Sequence, residues 1–384
     1  MDVPPRPVDV LLVGGGVASV RCARTLRRHG FTGSILIIGE EDHAPYNRPP
    51  LSKELLRDDL PDELVLAEPE RWYERRSVEL TVAAKVMELD AEAQTVRLGD
   101  GRRISFERCL LATGAEPRTL SGNPLMLRTL DDARRLRSAA MAAGPGAPVT
   151  VIGGGFIGVE VACALASLGL RPTIVERLNV LWGNLLGMEL AEWGVARLAE
   201  AGVGLRFGSS VNTLDERSAT IGDGRLEHAF AVAGIGVRPR VGLAEAAGLE
   251  TDDGIVTDAE QQTSHPAIWA AGDVAKVDGR RVEHWHSARE GGERAALSML
   301  GLPGPPLRAP WVFSEVGGVS LDVIGDARAW DDERWMLDGS VLAYLAGGRV
   351  VQLASIGSAL DPEIARGLVE RAVSVHELAR ALQR

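Results

Sequence analysis

The sequence predicts an α/β protein with two Rossmann-like dinucleotide-binding domains and a small C-terminal α/β domain. Two stretches, "VDVLLVGGGVASVRCARTLRRHG" and "PVTVIGGGFIGVEVACALASLG", each pass from an apolar run through closely spaced glycines into a helical pattern, which is typical of strand, tight turn and helix. A third observation predicts the further domain, because a proline-rich stretch after residue 302 marks a change in composition. The length of 384 residues also exceeds what one hydrophobic core usually organises.

In the first element, a strand ending at Val13 precedes the glycines Gly14, Gly15 and Gly16. Apolar residues then recur every four positions and predict the buried face of a helix: Ala18, Cys22 and Leu26. A second strand over 35–38 ends near Glu40, at the distance along the chain expected of a dinucleotide-binding βαβ unit.

The second element repeats this order. A strand over 149–152 leads into a full GxGxxG made by Gly153, Gly155 and Gly158. The predicted helix presents one apolar face: Ile157, Val161, Leu165 and Leu168. A second strand over 172–175 ends on Glu176.

These residue types suit a bound dinucleotide. The first glycine permits a tight turn, the second lets backbone amides approach a pyrophosphate, and the third lets helix and strand pack closely. The helix N-terminus attracts phosphate, and the terminal acid accepts from ribose hydroxyls. Ser19 stands where the third glycine is usual in the first element, and its small neighbour Ala18 should make this tolerable. The structural alternative is two βαβ units that bind no ligand.

Charge and hydropathy exclude several classes of protein. Lys and Arg number 42 against 53 Asp and Glu, and the net charge of −11 argues against a nucleic-acid or anionic-membrane binder. No apolar stretch reaches the roughly 18 residues that a membrane span requires, and the first residues lack a secretory-signal pattern. We therefore expect a cytoplasmic protein without a membrane partner.

The cysteines and histidines predict no metal centre. Cys22, Cys109 and Cys163 are widely spaced in apolar runs, so we expect reduced packing residues. His284 and His286 would face the same way on a strand, but no third ligand is evident. The remaining histidines are expected at the surface: His29, His43, His228, His265 and His376.

Three further stretches resemble the FAD- and NAD(P)-dependent pyridine nucleotide reductases: "PYNRPPLSKELL", "LLATGAEPR" and "GIVTDAEQQTSHPAIWAAGDVA". The "PPLSK" form is most similar to ferredoxin, putidaredoxin and rubredoxin reductases of oxygenase systems. The likeness extends from about residue 8 to residue 305. It implies an FAD domain over 1–115 and 245–305, an NAD(P)H domain over 116–244 and a C-terminal interface domain over 308–384.

The resemblance also implies which residues hold FAD. The glycine loop and Glu40 would hold the AMP half, Ala83 would meet the adenine through its backbone, and Asp273 would accept from the ribityl hydroxyls. Trp285 would lie beside the flavin's pyrimidine side. The expected FAD residues are Gly14, Gly16, Ala18, Ser19, Glu40, Arg48, Lys53, Ala83, Ala112, Thr113, Gly114, Arg128, Asp273 and Trp285.

The second element would hold the nicotinamide coenzyme. The expected residues are Gly153, Gly155, Phe156, Ile157, Gly158, Glu176 and Gly236. A carboxylate at Glu176 can bind two free ribose hydroxyls but repels a 2′-phosphate, so NADH is favoured over NADPH. Arg177 could soften that preference, and "RLNVLWGN" is shorter than the corresponding loop of the family and lacks its arginine.

The function implied by the resemblance is an NADH:ferredoxin reductase that transfers hydride to FAD and single electrons to a small iron–sulfur protein serving a P450 or ring-hydroxylating oxygenase. Lys53 and Glu160 match the family's lysine and glutamate near flavin N5, where an ion pair would steady the reduced flavin. A purely structural salt bridge is the alternative reading of this pair. Other functions left open are an NADH oxidase or quinone reductase, and a redox sensor similar to apoptosis-inducing-factor-like proteins. A monomer or a homodimer is expected.

The C-terminal part predicts a small antiparallel sheet and a helix. "SVLAYLAGGRVVQLASI" alternates around Gly347 and Gly348 as a hairpin does, and Asp361 followed by Pro362 predicts a helix start. Phe313 and Glu315 stand where the family more often has tryptophan and aspartate. Four arginines either receive an acidic ferredoxin or are solvated surface residues: Arg238, Arg240, Arg289 and Arg294.

Overall fold

The computed structural model of the protein describes residues 5–57, 60–183 and 185–383. The chain folds into two compact units, each built from three segments. The first unit comprises Met1–Asn47, Asp62–Glu116 and Arg238–Leu307, and the second comprises Arg48–Pro61, Pro117–Val237 and Arg308–Arg384. The division into three domains with the boundaries given above stays a prediction.

Each unit contains both strands and helices among the described residues. The strands are β1 Arg6–Val13, β2 Ile35–Ile38, β3 Val78–Thr81, β4 Val86–Asp90, β5 Thr95–Leu98, β6 Arg103–Leu111, β7 Ala115–Pro117, β8 Leu125–Met126, β9 Pro148–Ile152, β10 Arg171–Val175, β11 Gly204–Arg206, β12 Val211–Leu214, β13 Ser218–Ile221, β14 Gly224–Glu227, β15 Phe230–Ala233, β16 Val237–Pro239, β17 Ile255–Thr257, β18 Ile268–Ala270, β19 Ala275–Val277, β20 Arg280–Arg281, β21 Trp311–Val316, β22 Val319–Ile324, β23 Asp332–Met336, β24 Val341–Ala346 and β25 Arg349–Ile356. The α-helices are α1 Val17–Arg28, α2 Glu54–Arg57, α3 Glu70–Arg75, α4 Leu130–Ala143, α5 Phe156–Ser167, α6 Gly187–Glu200, α7 Gly242–Ala246, α8 Trp285–Met299, α9 Pro362–Glu370 and α10 Val375–Leu382. Short 3-10 turns cover Pro49–Ser52, Asp62–Val65 and Leu337–Gly339.

The first unit contains the predicted strand–helix–strand element as β1, α1 and β2. Its main sheet has the order β3-β2-β1-β6-β5-β4, with β18 beside β6. Strands β3, β2, β1, β6 and β18 run parallel, which leaves their carboxyl ends at one edge of the sheet. The predicted face of α1 is buried: Ala18, Cys22 and Leu26 are 4%, 0% and 0% exposed.

The second unit contains the repeated element as β9, α5 and β10, in a parallel sheet of order β11-β10-β9-β15-β8. Val161 and Leu165 are buried as predicted, but Ile157 is 45% exposed, so its assignment to the apolar helix face was wrong. Ile157 lies in the first turn of α5, immediately after the glycine loop. At that end of a Rossmann helix a side chain is available to a ligand rather than to the core.

The C-terminal segment forms an antiparallel sheet of order β21-β22-β25-β24-β23, as predicted. Gly347 and Gly348 make the β24–β25 hairpin with φ of +56° and +74°, angles that favour glycine in a two-residue turn. Asp361 begins α9 by accepting from the amides of Glu363 and Ile364, and Pro362 follows it. The second unit has one core to which both of its larger sheets contribute. Its buried members include Val149 and Leu165 together with Val316, Leu321 and Tyr344.

Two expectations about histidines were wrong. His228 is 4% exposed, with Nδ1 3.0 Å from the hydroxyl of Thr150 and Nε2 3.2 Å from the carbonyl of Asp215. Burial lowers the pKa of His228. His284 and His286 flank Trp285 at the start of α8, so they do not lie on a strand and do not share a face.

Candidate functional site

The first glycine loop places an open helix N-terminus at the carboxyl edge of the parallel sheet. Gly14 has a φ of +123°, and a Cβ there would lie 2.1 Å from the carbonyl oxygen of Ala112, so only glycine fits this turn. Gly16 precedes α1, and no side chain in the described residues caps that helix. A Cβ on Gly16 would have no atom within 4 Å. The loop therefore offers unpaired amides and free space, which fits the pyrophosphate of a dinucleotide such as FAD.

Ser19 is accommodated because close packing in the first unit occurs at the neighbouring residue. A Cβ on Gly292 of α8 would lie 2.1 Å from the carbonyl oxygen of Ala18. The glycine that this contact requires is thus supplied by α8. Ser19 itself is fully buried, and its hydroxyl has no hydrogen-bond partner among the described residues.

Glu40 follows β2, and its carboxylate lies between two cationic side chains. Its Oε1 is 2.9 Å from Lys85 Nζ, and its Oε2 is 2.7 Å from Arg240 Nη1. Partial burial raises the pKa of Glu40, but its hydrogen bonds to Lys85 and Arg240 outweigh that effect and lower it. Glu40 is therefore a fixed, ionised acceptor beside the first glycine loop.

The backbone around Glu40 is also fixed. Ala83, expected beside the adenine, has a φ of +51°, which is uncommon outside glycine. Its amide donates to the carbonyl of Glu41 at 2.9 Å, and the amide of Ala84 donates to that of Gly39 at 2.9 Å. These bonds hold the loop after β3 against the segment that carries Glu40.

Thr113 and Gly114 form the turn after β6, shortly before the chain leaves the first unit after Glu116. Gly114 has a φ of +70°, and Ala112 continues the strand by donating to the carbonyl of Val13. The hydroxyl of Thr113 donates to the carbonyl of Arg240 at 2.9 Å. Arg240 in turn donates its amide to the carbonyl of Gly114 at 2.9 Å.

Asp273 and Trp285 both belong to the first unit. Asp273 follows Gly272, whose φ of +80° turns the chain after β18. Trp285 donates its indole N–H to Asn47 Oδ1 at 2.9 Å, and the guanidinium of Arg289 lies 4.4 Å from its ring centroid. The indole is thus held between a hydrogen bond on its edge and a cation on its face.

The second glycine loop needs glycine at more positions than the first, because both its first and its third glycine leave no room for a Cβ. A Cβ on Gly153 would lie 2.3 Å from the carbonyl oxygen of Gly234, and one on Gly158 would lie 2.0 Å from that of Gly153. Gly155 has free space at the N-terminus of α5, as Gly16 has before α1. The third glycine is therefore obligatory here, because α5 lies directly on the turn. Gly236, with a φ of +91°, belongs to the turn that follows β15.

Glu176 is oriented by the loop it is expected to serve. Its Oε2 accepts from the amide of Gly154 at 2.6 Å and its Oε1 from the amide of Leu178 at 2.7 Å. The backbone of Trp182 donates to the carbonyl of Gly154 at 2.9 Å, and its ring lies 6.0 Å from that of Phe156. The segment after β10 therefore folds back on the glycine loop and fixes the carboxylate of Glu176.

Lys53 and Glu160 form the expected ion pair within the second unit. Lys53 Nζ lies 2.7 Å from Glu160 Oε2, and the two residues are 8% and 4% exposed. The hydroxyl of Ser52 donates to the same Oε2, and that of Ser314 donates to Oε1 at 2.6 Å. The ring of Phe313 lies 5.7 Å from Lys53 Nζ. Three donors fix the orientation of this buried carboxylate, which in turn holds the lysine in place.

Arg48 and Arg128 also meet in the second unit. Arg48 Nη1 donates to the carbonyl of Arg128 at 2.7 Å. The amide of Arg128 donates to Asp132 Oδ2, which belongs to the capping box of α4. Of the residues expected around FAD, Arg48, Lys53 and Arg128 belong to the second unit and the others to the first.

Sequence reasoning missed four contributors: Ser52 and Ser314 on Glu160, and Lys85 and Arg240 on Glu40. Ser52 precedes Lys53 in "PPLSK" and could have been found there. The others arrive from distant parts of the chain, and no spacing in the sequence links them to their carboxylates.

The four arginines considered as a binding surface for an acidic ferredoxin each contact other groups of the protein. Arg294 is 5% exposed and donates to the carbonyls of Pro305 and Pro306. Arg238 pairs with Glu116, and Arg240 with Glu40. Arg289 lies on Trp285. Of the four, only Arg294 is buried, whereas the side chain of Arg238 stays 66% exposed despite its pair with Glu116.

Within the described residues, no group of three or more His, Cys, Asp or Glu side chains could hold a metal ion. The same residues contain no helix that is long and apolar enough to cross a membrane.

Comparison with known proteins identifies the family. The model of the family described as "pyridine nucleotide-disulphide oxidoreductase" matches residues 8–292. The chain belongs to this family. It is 33% identical to the ferredoxin–NAD(+) reductase component of the p-cumate 2,3-dioxygenase system of Pseudomonas putida, across 95% of this chain and 94% of that one. It is 30% identical to a rubredoxin–NAD(+) reductase of the same organism, across 84% and 88% of the two chains.

Solved structures agree with this membership. The reductase in the covalent putidaredoxin reductase–putidaredoxin complex superposes with a TM-score of 0.92 at 29% identity, covering 97% of this chain and 95% of that one. The ferredoxin reductase for the CYP199A2 system from Rhodopseudomonas palustris superposes with a TM-score of 0.86 at 28% identity, covering 97% and 100%. The predicted α/β fold with Rossmann-like sheets is thereby confirmed.

The disulphide chemistry in the family's description is not supported by the cysteines of this member. Cys22, Cys109 and Cys163 are all free, and burial raises the pKa of each thiol. Cys22 and Cys109 are fully buried, as predicted, and Cys163 is half-buried with its sulfur accepting from the amide of Gly317.

Proposed function

We propose that this protein is an FAD-dependent NADH:ferredoxin reductase. It takes a hydride from NADH and passes single electrons to a small iron–sulfur protein that serves a P450 or a ring-hydroxylating oxygenase. The observation that carries the proposal is the presence, in one chain, of two open glycine loops and the buried Lys53–Glu160 pair. The relatives named above as ferredoxin reductase components support it.

FAD is the flavin we assign to the first unit. Bound flavin accepts a hydride and releases electrons singly, so it connects a two-electron donor with a one-electron acceptor. The loop at Gly14 and Gly16 would bind the pyrophosphate, Glu40 the ribose of the AMP half, and Asp273 the ribityl chain. The other residues expected around FAD are further proposed contacts of the cofactor. A flavin without the AMP half would leave the glycine loop and Glu40 without a ligand.

NADH is the coenzyme we assign to the second unit. Glu176 is held by two backbone amides and cannot easily turn away from a ligand on the glycine loop. A 2′-phosphate would meet this fixed negative charge, whereas free ribose hydroxyls would donate to it. Arg177 follows directly in the chain, and its positive charge would favour a 2′-phosphate. The preference for NADH over NADPH therefore requires that the effect of Glu176 outweighs that of Arg177.

Lys53 and Glu160 are the residues we assign to the hydride-transfer step. Lys53 supplies a fixed positive charge that stabilises negative charge developing on the acceptor, and Glu160 holds Lys53 in one position. No proton transfer is required of either residue. The role of the pair is therefore electrostatic and positional.

The test is anaerobic stopped-flow reduction of the flavin-loaded protein by NADH and by NADPH, followed by mixing with a two-iron ferredoxin. NADH should bleach the flavin faster than NADPH does, and the ferredoxin should restore its colour. Lys53→Met should slow bleaching about tenfold or more. The control Arg57→Met removes the neighbouring Arg57–Glu315 pair and should leave the rate nearly unchanged.

Three results would contradict the proposal. Absence of bound flavin, or of bleaching by either coenzyme, would overturn the assignment of the glycine loops. Bleaching that oxygen or a quinone reverses rapidly while ferredoxin does not would indicate an oxidase or a quinone reductase. Reoxidation slowed by a long-lived complex and coupled to dimerisation would indicate a redox sensor.

A further inference from the structure

Glu40 is surrounded by more positive charge than a ribose acceptor requires. Both of its oxygens meet cations, Lys85 at 2.9 Å and Arg240 at 2.7 Å. The two cations come from different segments of the first unit, one after β3 and one after β16. A hydroxyl-binding carboxylate needs neither, so these side chains call for an explanation.

Arg240 is the more firmly placed of the two. Its amide donates to the carbonyl of Gly114, and its carbonyl accepts from the hydroxyl of Thr113, both at 2.9 Å. Its Nε is 3.7 Å from Glu116 Oε2, while Nη1 contacts Glu40. The side chain of Arg240 is 39% exposed and that of Lys85 is 54% exposed. Arg240 therefore projects from an anchored backbone and links two carboxylates.

The electrostatics of an adenine dinucleotide explain this arrangement. Its pyrophosphate carries negative charge, and a carboxylate that holds the adjoining ribose is repelled by it. A cation beside each oxygen of Glu40 offsets that repulsion and fixes the orientation of the carboxylate before the ligand binds. An Arg with two carboxylate partners does this at lower cost in side-chain entropy than a freely rotating lysine.

We propose that Arg240 is a positioning residue for the AMP half of FAD: it holds Glu40 ready for the ribose and offsets the negative charge that the carboxylate adds beside the pyrophosphate. This rests on the proposed assignment of FAD to the first unit. Lys85 has the same role from the other side of Glu40, with a more exposed and more weakly held charge.

Arg238 provides a matched control. It lies two residues before Arg240, its Nε donates to Glu116 Oε1 at 2.6 Å, and its side chain is 66% exposed. It differs from Arg240 in having no contact with Glu40. Removing Arg238 takes away one surface arginine and one bond to Glu116 without touching the nucleotide acceptor.

The experiment measures equilibrium binding of FAD and of FMN to the flavin-stripped protein by quenching of flavin fluorescence. FMN lacks the AMP half, so it separates that half from the isoalloxazine end. Arg240→Met should raise the Kd for FAD about tenfold and leave the Kd for FMN unchanged, since a hydrogen bond to a charged group is lost only on the AMP side. Arg240→Lys should recover part of the loss, and Arg238→Met should bind both flavins as the wild type does. Thermal unfolding of each stripped variant checks that the first unit remains folded.

The outcomes separate the two proposals. If wild-type protein binds FAD and Arg240→Met binds it equally well, or loses FAD and FMN affinity to the same extent, the role of Arg240 is refuted while the proposed function stands. An equal loss in Arg238→Met would also refute it, because contact with Glu40 would then be irrelevant. If the wild type binds no FAD, both proposals fail.

Discussion

The buried ion pair of the second unit should respond unequally to removal of its two partners. Glu160 has three donors, so Lys53→Met leaves its carboxylate with the hydroxyls of Ser52 and Ser314. Lys53 has less support, because its other partners among the described residues are the carbonyl of Pro49 at 3.4 Å and the ring of Phe313 at 5.7 Å. Glu160→Gln therefore leaves the buried ammonium of Lys53 without a counter-charge, whereas Lys53→Met leaves a carboxylate that still accepts two hydrogen bonds.

The magnitudes follow from burial. The two side chains are only 10% and 3% exposed, so solvent screens neither. Leaving a buried charge without its partner costs about 3–5 kcal/mol, which we assign to Glu160→Gln. Loss of one charged hydrogen bond from a group that keeps two others costs about 1.5–3 kcal/mol, which we assign to Lys53→Met. The double variant removes both charges and should be more stable than Glu160→Gln alone.

The assay is urea unfolding of the flavin-stripped protein followed by tryptophan fluorescence, with Trp182, Trp311 and Trp330 reporting on the second unit. Arg57→Met is the control, because the side chains of its pair with Glu315 are 23% and 28% exposed and should contribute no more than about 1 kcal/mol. Equal losses in the two single variants, or a larger loss in Lys53→Met, would refute the account of how the carboxylate is held.

Further predictions concern the coenzyme, the glycine loop and a buried acid. Glu176→Ala should raise the Kd for NADH about tenfold and reduce the preference for NADH over NADPH, measured by titration with both coenzymes; an unchanged ratio would show that Glu176 does not set it. Gly16→Ala should fold normally yet lose FAD affinity, because its Cβ meets only empty space in the absence of ligand, whereas Gly14→Ala should lower the thermal stability itself; retention of FAD by Gly16→Ala would contradict the assignment. Asp322 is buried, and burial raises its pKa although the indole of Trp311 donates to it. A carboxyl that binds its proton more tightly when folded costs stability at neutral pH and less as the pH falls, so Asp322→Asn should raise the midpoint of thermal unfolding at pH 7 and lose this advantage near pH 4; the same gain at both pH values would contradict this explanation.

Elements with local signals were predictable from the sequence. The spans around β1, α1 and β2 and around β9, α5 and β10 were found because a glycine turn between two apolar periodicities has few other readings. The hairpin at Gly347 and Gly348 was found for a similar reason, since both positions need a positive φ.

The misses have physical causes. Ile157 repeats the apolar spacing of α5 but lies in its first turn, where the helix emerges from the core. His228 looked like a surface residue in a polar context, and only the fold brings Thr150 and the carbonyl of Asp215 to its ring. The donors that complete Glu160 and Glu40 are set by tertiary packing, which no local pattern encodes.

Strand β21 supplies Ser314 to Glu160, and the C-terminal sheet shares one core with the sheet around β9. The last part of the chain is therefore not a module that can be exchanged without affecting the rest of the second unit. An engineer who replaced the chain after its proline-rich stretch with that of another reductase, hoping to redirect electrons to a new acceptor, would also remove a hydrogen bond from the carboxylate that holds Lys53. Point substitutions on the exposed faces of that sheet and its helices would leave this hydrogen bond and the shared core intact.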